Sequence, residues 1–73
     1  VFVYDGLIFV SDVGDFSVKI FDLDGNLVKQ FGQYGDRYGE FKFPIYTITD
    51  GKKIFVSDAY NYRIQIFKIV GLY

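Results

Sequence analysis

The chain has 73 residues with no cysteine and no histidine, so no disulfide framework holds it together, and the commonest metal ligand and general base are both missing. A formal net charge of −1 gives no pull toward nucleic acid or an anionic membrane, and no apolar run approaches the roughly 20 residues of a transmembrane helix. Aromatic residues make up 22% of the chain, all Phe or Tyr, with a single proline, a composition that favours strands around an all-β core.

Val1–Tyr4 (VFVY) is β-prone, and the Asp5-Gly6 pair after it is a two-residue hairpin signal. Leu7–Ser11 (LIFVS) is a continuous apolar run, the pattern of a strand buried on both faces. Asp12–Asp15 reads as a connection, and Ser17–Asp22 (SVKIFD) alternates, as a strand with one wetter face does. Asp22–Asn26 (DLDGN) is a turn with Gly25 at its positive-φ position, and Leu27–Phe31 (LVKQF) returns as a fourth strand. The aspartates of that turn lack the spacing and distal glutamate of an EF-hand, so a hairpin explains them.

Gly32–Pro44 (GQYGDRYGEFKFP) differs in texture. Its glycines, mixed charges and aromatics predict a long surface loop, held in order by Tyr34, Tyr38 and Phe41. It is not a phosphate loop, because no Gly-Lys-Ser/Thr follows and no helix starts there. Ile45–Thr49, Asp50-Gly51, Ile54–Asp58 and Arg63–Ile69 then repeat the first three strands and the first turn. Gly71 aligns with Gly25, and a fourth strand is expected to begin near Tyr73.

The repeat is clearest between Ile8–Phe21 (IFVSDVGDFSVKIF) and Ile54–Phe67 (IFVSDAYNYRIQIF), which set Asp12 and Asp58 46 positions apart. Four short strands in a period of roughly 40–45 residues are the pattern of a β-propeller blade. The expected fold is therefore all-β, with antiparallel four-stranded blades. Residues 1–31 form a first blade, 32–44 an inter-blade loop, and 45–73 a second, incomplete blade. The sequence contains no methionine and opens at Val1 inside an apolar run, which predicts a fragment or a processed product.

Asp58, Asn61, Arg63, Ile64, Gln65 and Phe67, at these offsets, resemble the signature of the NHL repeat. Phe41-x-x-Pro44, the run Ile54–Asp58, and Phe31-Gly32 with the glycine-rich stretch after it resemble the same repeat and its linker. The resemblance implies an NHL-type propeller of about six blades around a central channel. It also implies that Asp58 and Arg63 join neighbouring strands as a polar staple, so Asp12, Asp58 and Arg63 are read as structural. The first unit departs from the signature, with Asp15 and Ser17 where the repeat has Asn and Arg; Asp12 cannot use Ser17 as its partner in such a bridge.

One and a half blades cannot close a ring, and each blade face needs a neighbour. The expected partners are other blades, from the same parent chain or from other subunits, with strand addition after Ile69 as one route. Ligand contacts are expected on the loop face, at Tyr34, Arg37, Tyr38, Lys42, Tyr60 and Asn61, since Tyr and Arg are enriched at protein-binding hot spots. Loop packing of the same aromatics is the plainer reading. RNA binding, with bases stacked on the tyrosines, is an alternative that the net charge disfavours. No cofactor or metal is expected, and no catalytic residue is assigned. Ser11 and Ser57 have no histidine for a triad. The other alternative is a slice of a metal-dependent lyase or hydrolase propeller whose catalytic residues lie in other blades. Against it, the innermost strands, Val1–Tyr4 and Ile45–Thr49, offer only tyrosine and threonine. The leading expectation is thus a non-catalytic propeller segment acting as a protein-interaction scaffold.

Overall fold

A computed structural model describes residues 1–70 as two antiparallel sheets with no α-helix. The first sheet has β1 (Phe2–Tyr4), β2 (Leu7–Asp12), β3 (Ser17–Asp22) and β4 (Leu27–Phe31), side by side in chain order. The second has β5 (Pro44–Thr49), β6 (Lys53–Asp58) and β7 (Arg63–Lys68), again in chain order, with a 3-10 turn at Ala59–Asn61 between β6 and β7. The fold is all-β, and it has the form expected of partial propeller blades. Gly71 and the expected fourth strand of the second unit lie outside the described residues.

Turn chemistry sets the register. Asp5 (φ 50°) and Gly6 (φ 77°) both take positive φ and close the Tyr4–Leu7 pair, which is the type I′ hairpin that the pair signals. Asp50-Gly51 does not repeat it. In the second hairpin Gly51 (φ 92°) sits one position earlier in the turn, followed by Lys52, and Thr49 pairs with Ile54. The Asp50 carboxylate accepts the backbone N–H groups of Lys52 and Lys53, both at 2.9 Å, and so takes the place of a tip residue.

The strand pairing is nonetheless the same in both hairpins, since the Thr49–Ile54 pair stands 46 positions on from Val3–Ile8, and alternation along β5 then fixes which side chains face the first sheet. Thr47 and Thr49 turn inward and are buried, while Tyr46 (70% exposed) and Ile48 (48%) face out. Thr47 Oγ1 meets Ser11 Oγ of the first sheet at 2.7 Å, and Thr49 Oγ1 donates to the Lys53 carbonyl at 2.7 Å. Both threonine hydroxyls are thereby satisfied.

The core lies between the sheets. Leu7, Phe9, Val18 and Ile20 come from the first, Ile54 and Val56 from the second, and Phe41 from the linker. Leu7–Ser11 is not covered equally on its two faces as its apolar run predicts: Phe9 is fully buried, while Ile8 and Val10 are only half-buried. Among the described residues no layer packs on that outer face.

Candidate functional site

The repeat motif surrounds the connection from β6 to β7. Asp58 ends β6, Ala59–Asn61 form the 3-10 turn, Tyr62 takes a left-handed φ of 55°, and Arg63 opens β7. The first unit bends at the matching place, where Phe16 has φ 54°. Strand alternation then sends Asp58, Arg63 and Gln65 to one face of the second sheet, the face that meets the linker.

Those side chains bind linker main chain. The fully buried Asp58 carboxylate accepts the N–H of Phe43 at 2.8 Å, that of Lys42 at 3.2 Å, and Asn61 Nδ2 at 2.6 Å. Asn61 Nδ2 also donates to the Gly35 carbonyl at 3.0 Å. Arg63 Nη2 donates to the carbonyls of Arg37 (2.8 Å) and Glu40 (3.3 Å). Gln65 does both jobs, donating to the Glu40 carbonyl at 2.8 Å and accepting the Gly39 N–H at 2.8 Å. Asp58 and Arg63 therefore do not pair with each other as the resemblance implies. The ion pairs found among the described residues are Lys19–Asp12 and Lys19–Asp15. Asp58 instead collects the linker's donors and Arg63 its acceptors, which disposes of polar backbone groups that burial would otherwise strand.

The linker also holds itself. Glu40 accepts from Gln33 Nε2 (2.7 Å) and from the Arg37 N–H (3.2 Å). These bonds, Gln33's first, keep its carboxyl below the ordinary glutamate value, and the charges of Arg37 and Arg63 add to the effect. Phe41 is fully buried, with its ring centroid 6.4 Å from that of Phe31 and 6.0 Å from that of Phe67. Gly32 makes room for it: a Cβ there would stand 2.6 Å from the Phe41 ring, and φ is +105°.

The first unit solves the same position differently. Asp12 Oδ1 accepts the N–H groups of Gly14 and Asp15, both at 3.1 Å, and its Oδ2 takes Lys19 Nζ at 2.5 Å. The Lys19 bond is the main reason its carboxyl sits below the usual aspartate range, and the same contact, with that to Asp15, raises the lysine. Lys19 occupies the register position of Gln65, a substitution visible in the sequence repeat once the partner is known.

The six residues singled out for the loop face do not act as one cluster. Tyr34 (62% exposed) stands edge-on to Phe16 at 4.9 Å between ring centroids, and Tyr60 (63%) stacks on Phe43 at 4.6 Å. Tyr38 (70%) packs on Phe67 at 5.1 Å and donates its hydroxyl to the Ile66 carbonyl at 2.8 Å. Arg37 is exposed and Lys42 half-buried, and both contribute backbone groups to the clamp. Asn61 belongs to the clamp itself. Gln65, Glu40 and Gln33 are the participants that sequence reasoning passed over. Gln65 lay within the quoted motif, whereas Gln33 and Glu40 carried no spacing signal.

No protein-family model matches the chain. The chain is similar to the E3 ubiquitin-protein ligase NHLRC1 of Homo sapiens, 36% identical over 67 residues, which is 90% of this chain and 17% of that protein. It is likewise 33% identical, over the same number of residues, to E3 ubiquitin-protein ligase NHLRC1 of Rattus norvegicus and of Mus musculus. The chain thus spans 17% of the length of the curated relatives it matches.

Proposed function

We propose that the chain is a segment of an NHL-repeat β-propeller, with residues 1–31 and 45–73 as parts of two blades, and that its linker face binds other proteins. The observation that carries this reading is the clamp. Asp58, Asn61, Arg63 and Gln65 fix the linker through its main chain, which leaves Tyr34, Tyr38 and Tyr60 each more than 60% exposed on a fixed support. Exposed tyrosines on an ordered loop bind with little further loss of conformational freedom. Similarity to NHLRC1 over 90% of the chain supports the repeat assignment. The ligase activity in that protein's name is not carried over to these residues, which include neither a cysteine nor a histidine. We read the segment as non-catalytic, with other blades as its structural partners.

The test is a random-peptide display library selected on the chain. Enriched peptides should bind Arg37→Ala/Tyr60→Ala at least about tenfold more weakly, the loss expected of hot-spot truncation. Equal binding by that variant would overturn the reading. So would salt-dependent binding of single-stranded RNA homopolymers that is lost in Arg37→Ala, which is the signature of a nucleic-acid site.

A further inference from the structure

Two aromatic pairs stand on the loop face, and each seats one exposed ring on a half-buried one. Tyr34 stands edge-on to Phe16, with 4.9 Å between ring centroids and 72° between planes. Tyr60 lies flat on Phe43, at 4.6 Å and 17°. Phe16 and Tyr60 come from strand connections of the two sheets, Tyr34 and Phe43 from the linker between them. The pairs are tied together, because the carbonyl of Gly35, next to Tyr34, accepts Nδ2 of Asn61, next to Tyr60, at 3.0 Å. Each exposed ring therefore keeps a set orientation on a fixed support.

The main chain beneath these rings is largely spent. The Gly35 N–H donates to the Phe41 carbonyl at 3.2 Å, and the Phe41 N–H to the Gln33 carbonyl at 2.8 Å. Asp58 takes the Phe43 N–H, and the Phe43 carbonyl accepts the Ala59 N–H at 3.0 Å. A strand-like ligand needs a continuous edge of free N–H and carbonyl groups and finds none here. Side-chain donors are what remains. The Tyr38 hydroxyl is spent on Ile66, whereas those of Tyr34 and Tyr60 have no partner among the described residues. Arg37 enters the linker's bonds through its N–H and carbonyl, and its guanidinium is likewise unpaired among them. Of the linker's two carboxylates, Glu40 is engaged by Gln33 and the Arg37 N–H, which leaves Asp36.

Fixed aromatic rings with hydrogen-bond donors in excess suit a main chain that brings carbonyls and no N–H groups. We infer that the linker face binds a proline-rich segment in the polyproline II conformation, its pyrrolidine rings on Tyr34 and Tyr60 and its carbonyls accepting their hydroxyls. Proline has no N–H to leave unpaired, and this helix makes no internal hydrogen bonds, so its carbonyls are free. An ordinary peptide brings N–H groups that this face, with Asp36 alone, does not satisfy. An RNA strand has the acceptors, but a net charge of −1 gives its phosphates no general attraction. Six residues of polyproline II reach roughly 19 Å, enough to lie across two pairs joined through one hydrogen bond. Arg37 adds a place for a carboxylate on the flank of that segment. The inference rests on the loop-face reading and names the class of partner.

Fluorescence anisotropy on the 73-residue chain tests it with two labelled peptides. One is a run of prolines ending in two glutamates; the other replaces the prolines by alternating glycine and serine. The proline peptide should bind at least about tenfold more tightly, because it is already in the bound conformation. Tyr34→Ala should weaken it by at least about tenfold. Tyr60→Phe keeps its ring on Phe43 and loses only the hydroxyl, so a loss of about threefold to tenfold is expected. That variant decides the matter even where Tyr34→Ala lowers the strand signal in circular dichroism. Equal affinity for the two peptides overturns the inference, as does full-strength binding by Tyr60→Phe. Displacement of the proline peptide by a uridine homopolymer would mark a nucleic-acid site and also overturns it. Display-selected peptides that need Arg37 and Tyr60 but are not enriched in proline would overturn this inference and leave the loop-face reading standing. Selected peptides that need neither residue would overturn both.

Discussion

Asp58 satisfies donors from two backbone positions and one side chain while fully buried, and its removal leaves the N–H groups of Lys42 and Phe43 without an acceptor. Asp58→Ala is expected to lower unfolding free energy by about 3 kcal/mol, measured by urea titration. Arg63→Ala frees the carbonyl of Arg37 and should cost about 1–2 kcal/mol, against about 0.5 kcal/mol or less for Lys53→Ala on the exposed strand margin. Equal thermal melts for those two variants would mean that Arg63 does not hold the linker. Acid should act on the same contacts. Glu40, Asp12, Asp22 and Asp50 all titrate below their ordinary values, because each accepts hydrogen bonds in the fold. Their contribution is complete above the ordinary carboxylate range and is lost as pH falls through the lowered values. Lys19 is raised, so its share persists at neutral pH and fades only above the usual lysine range. The melting temperature should stay level near neutrality and drop below about pH 4, with a shallower drop in Glu40→Gln. The motif's positions were legible in sequence, but its partner was not. Any residue but proline supplies both an N–H and a carbonyl, so a side chain that binds main chain leaves little mark on the residues it binds.

At the scale of elements, similar turn pairs sit differently in similar hairpins. Asp5-Gly6 and Asp50-Gly51 look alike, yet Gly51 stands one position earlier in its turn than Gly6, and the Asp50 carboxylate caps Lys52 and Lys53. In β5 the threonines face the core, opposite Ile54 and Val56, and Ser11 is what makes Thr47 acceptable. The linker was legible as an ordered loop through its aromatics, but which of them enters the core was not: Phe41 is buried, whereas Tyr34 and Tyr38 stay exposed. Gly32 is the linker's constraint against the buried ring of Phe41. Gly32→Ala both strains a φ of +105° and drives a methyl toward the Phe41 ring. It should destabilise by more than about 1 kcal/mol and speed hydrogen exchange at the Phe41 N–H, which donates to the Gln33 carbonyl at 2.8 Å.

For the whole molecule, Phe41 is the piece shared by both sheets, packed with Phe31 of the first and Phe67 of the second. Phe41→Ala should cost about 3–5 kcal/mol, a large part of what a chain this small has. Wild type should unfold in one transition, with strand circular dichroism and tyrosine fluorescence coinciding; two separated transitions would mean that the sheets fold independently. The two-sheet arrangement was legible because the sequence repeats itself. The clamp's choice of partner has a consequence for protein engineering. Because Asp58, Asn61, Arg63 and Gln65 bind only backbone atoms of the linker, the clamp itself does not specify linker side chains. Positions such as Asp36 and Arg37 are open to being rewritten, while Gly32, Glu40 and Phe41 stay fixed. The segment is in that sense a socket for interchangeable loops, in which new surface chemistry can be installed without redesigning the fold.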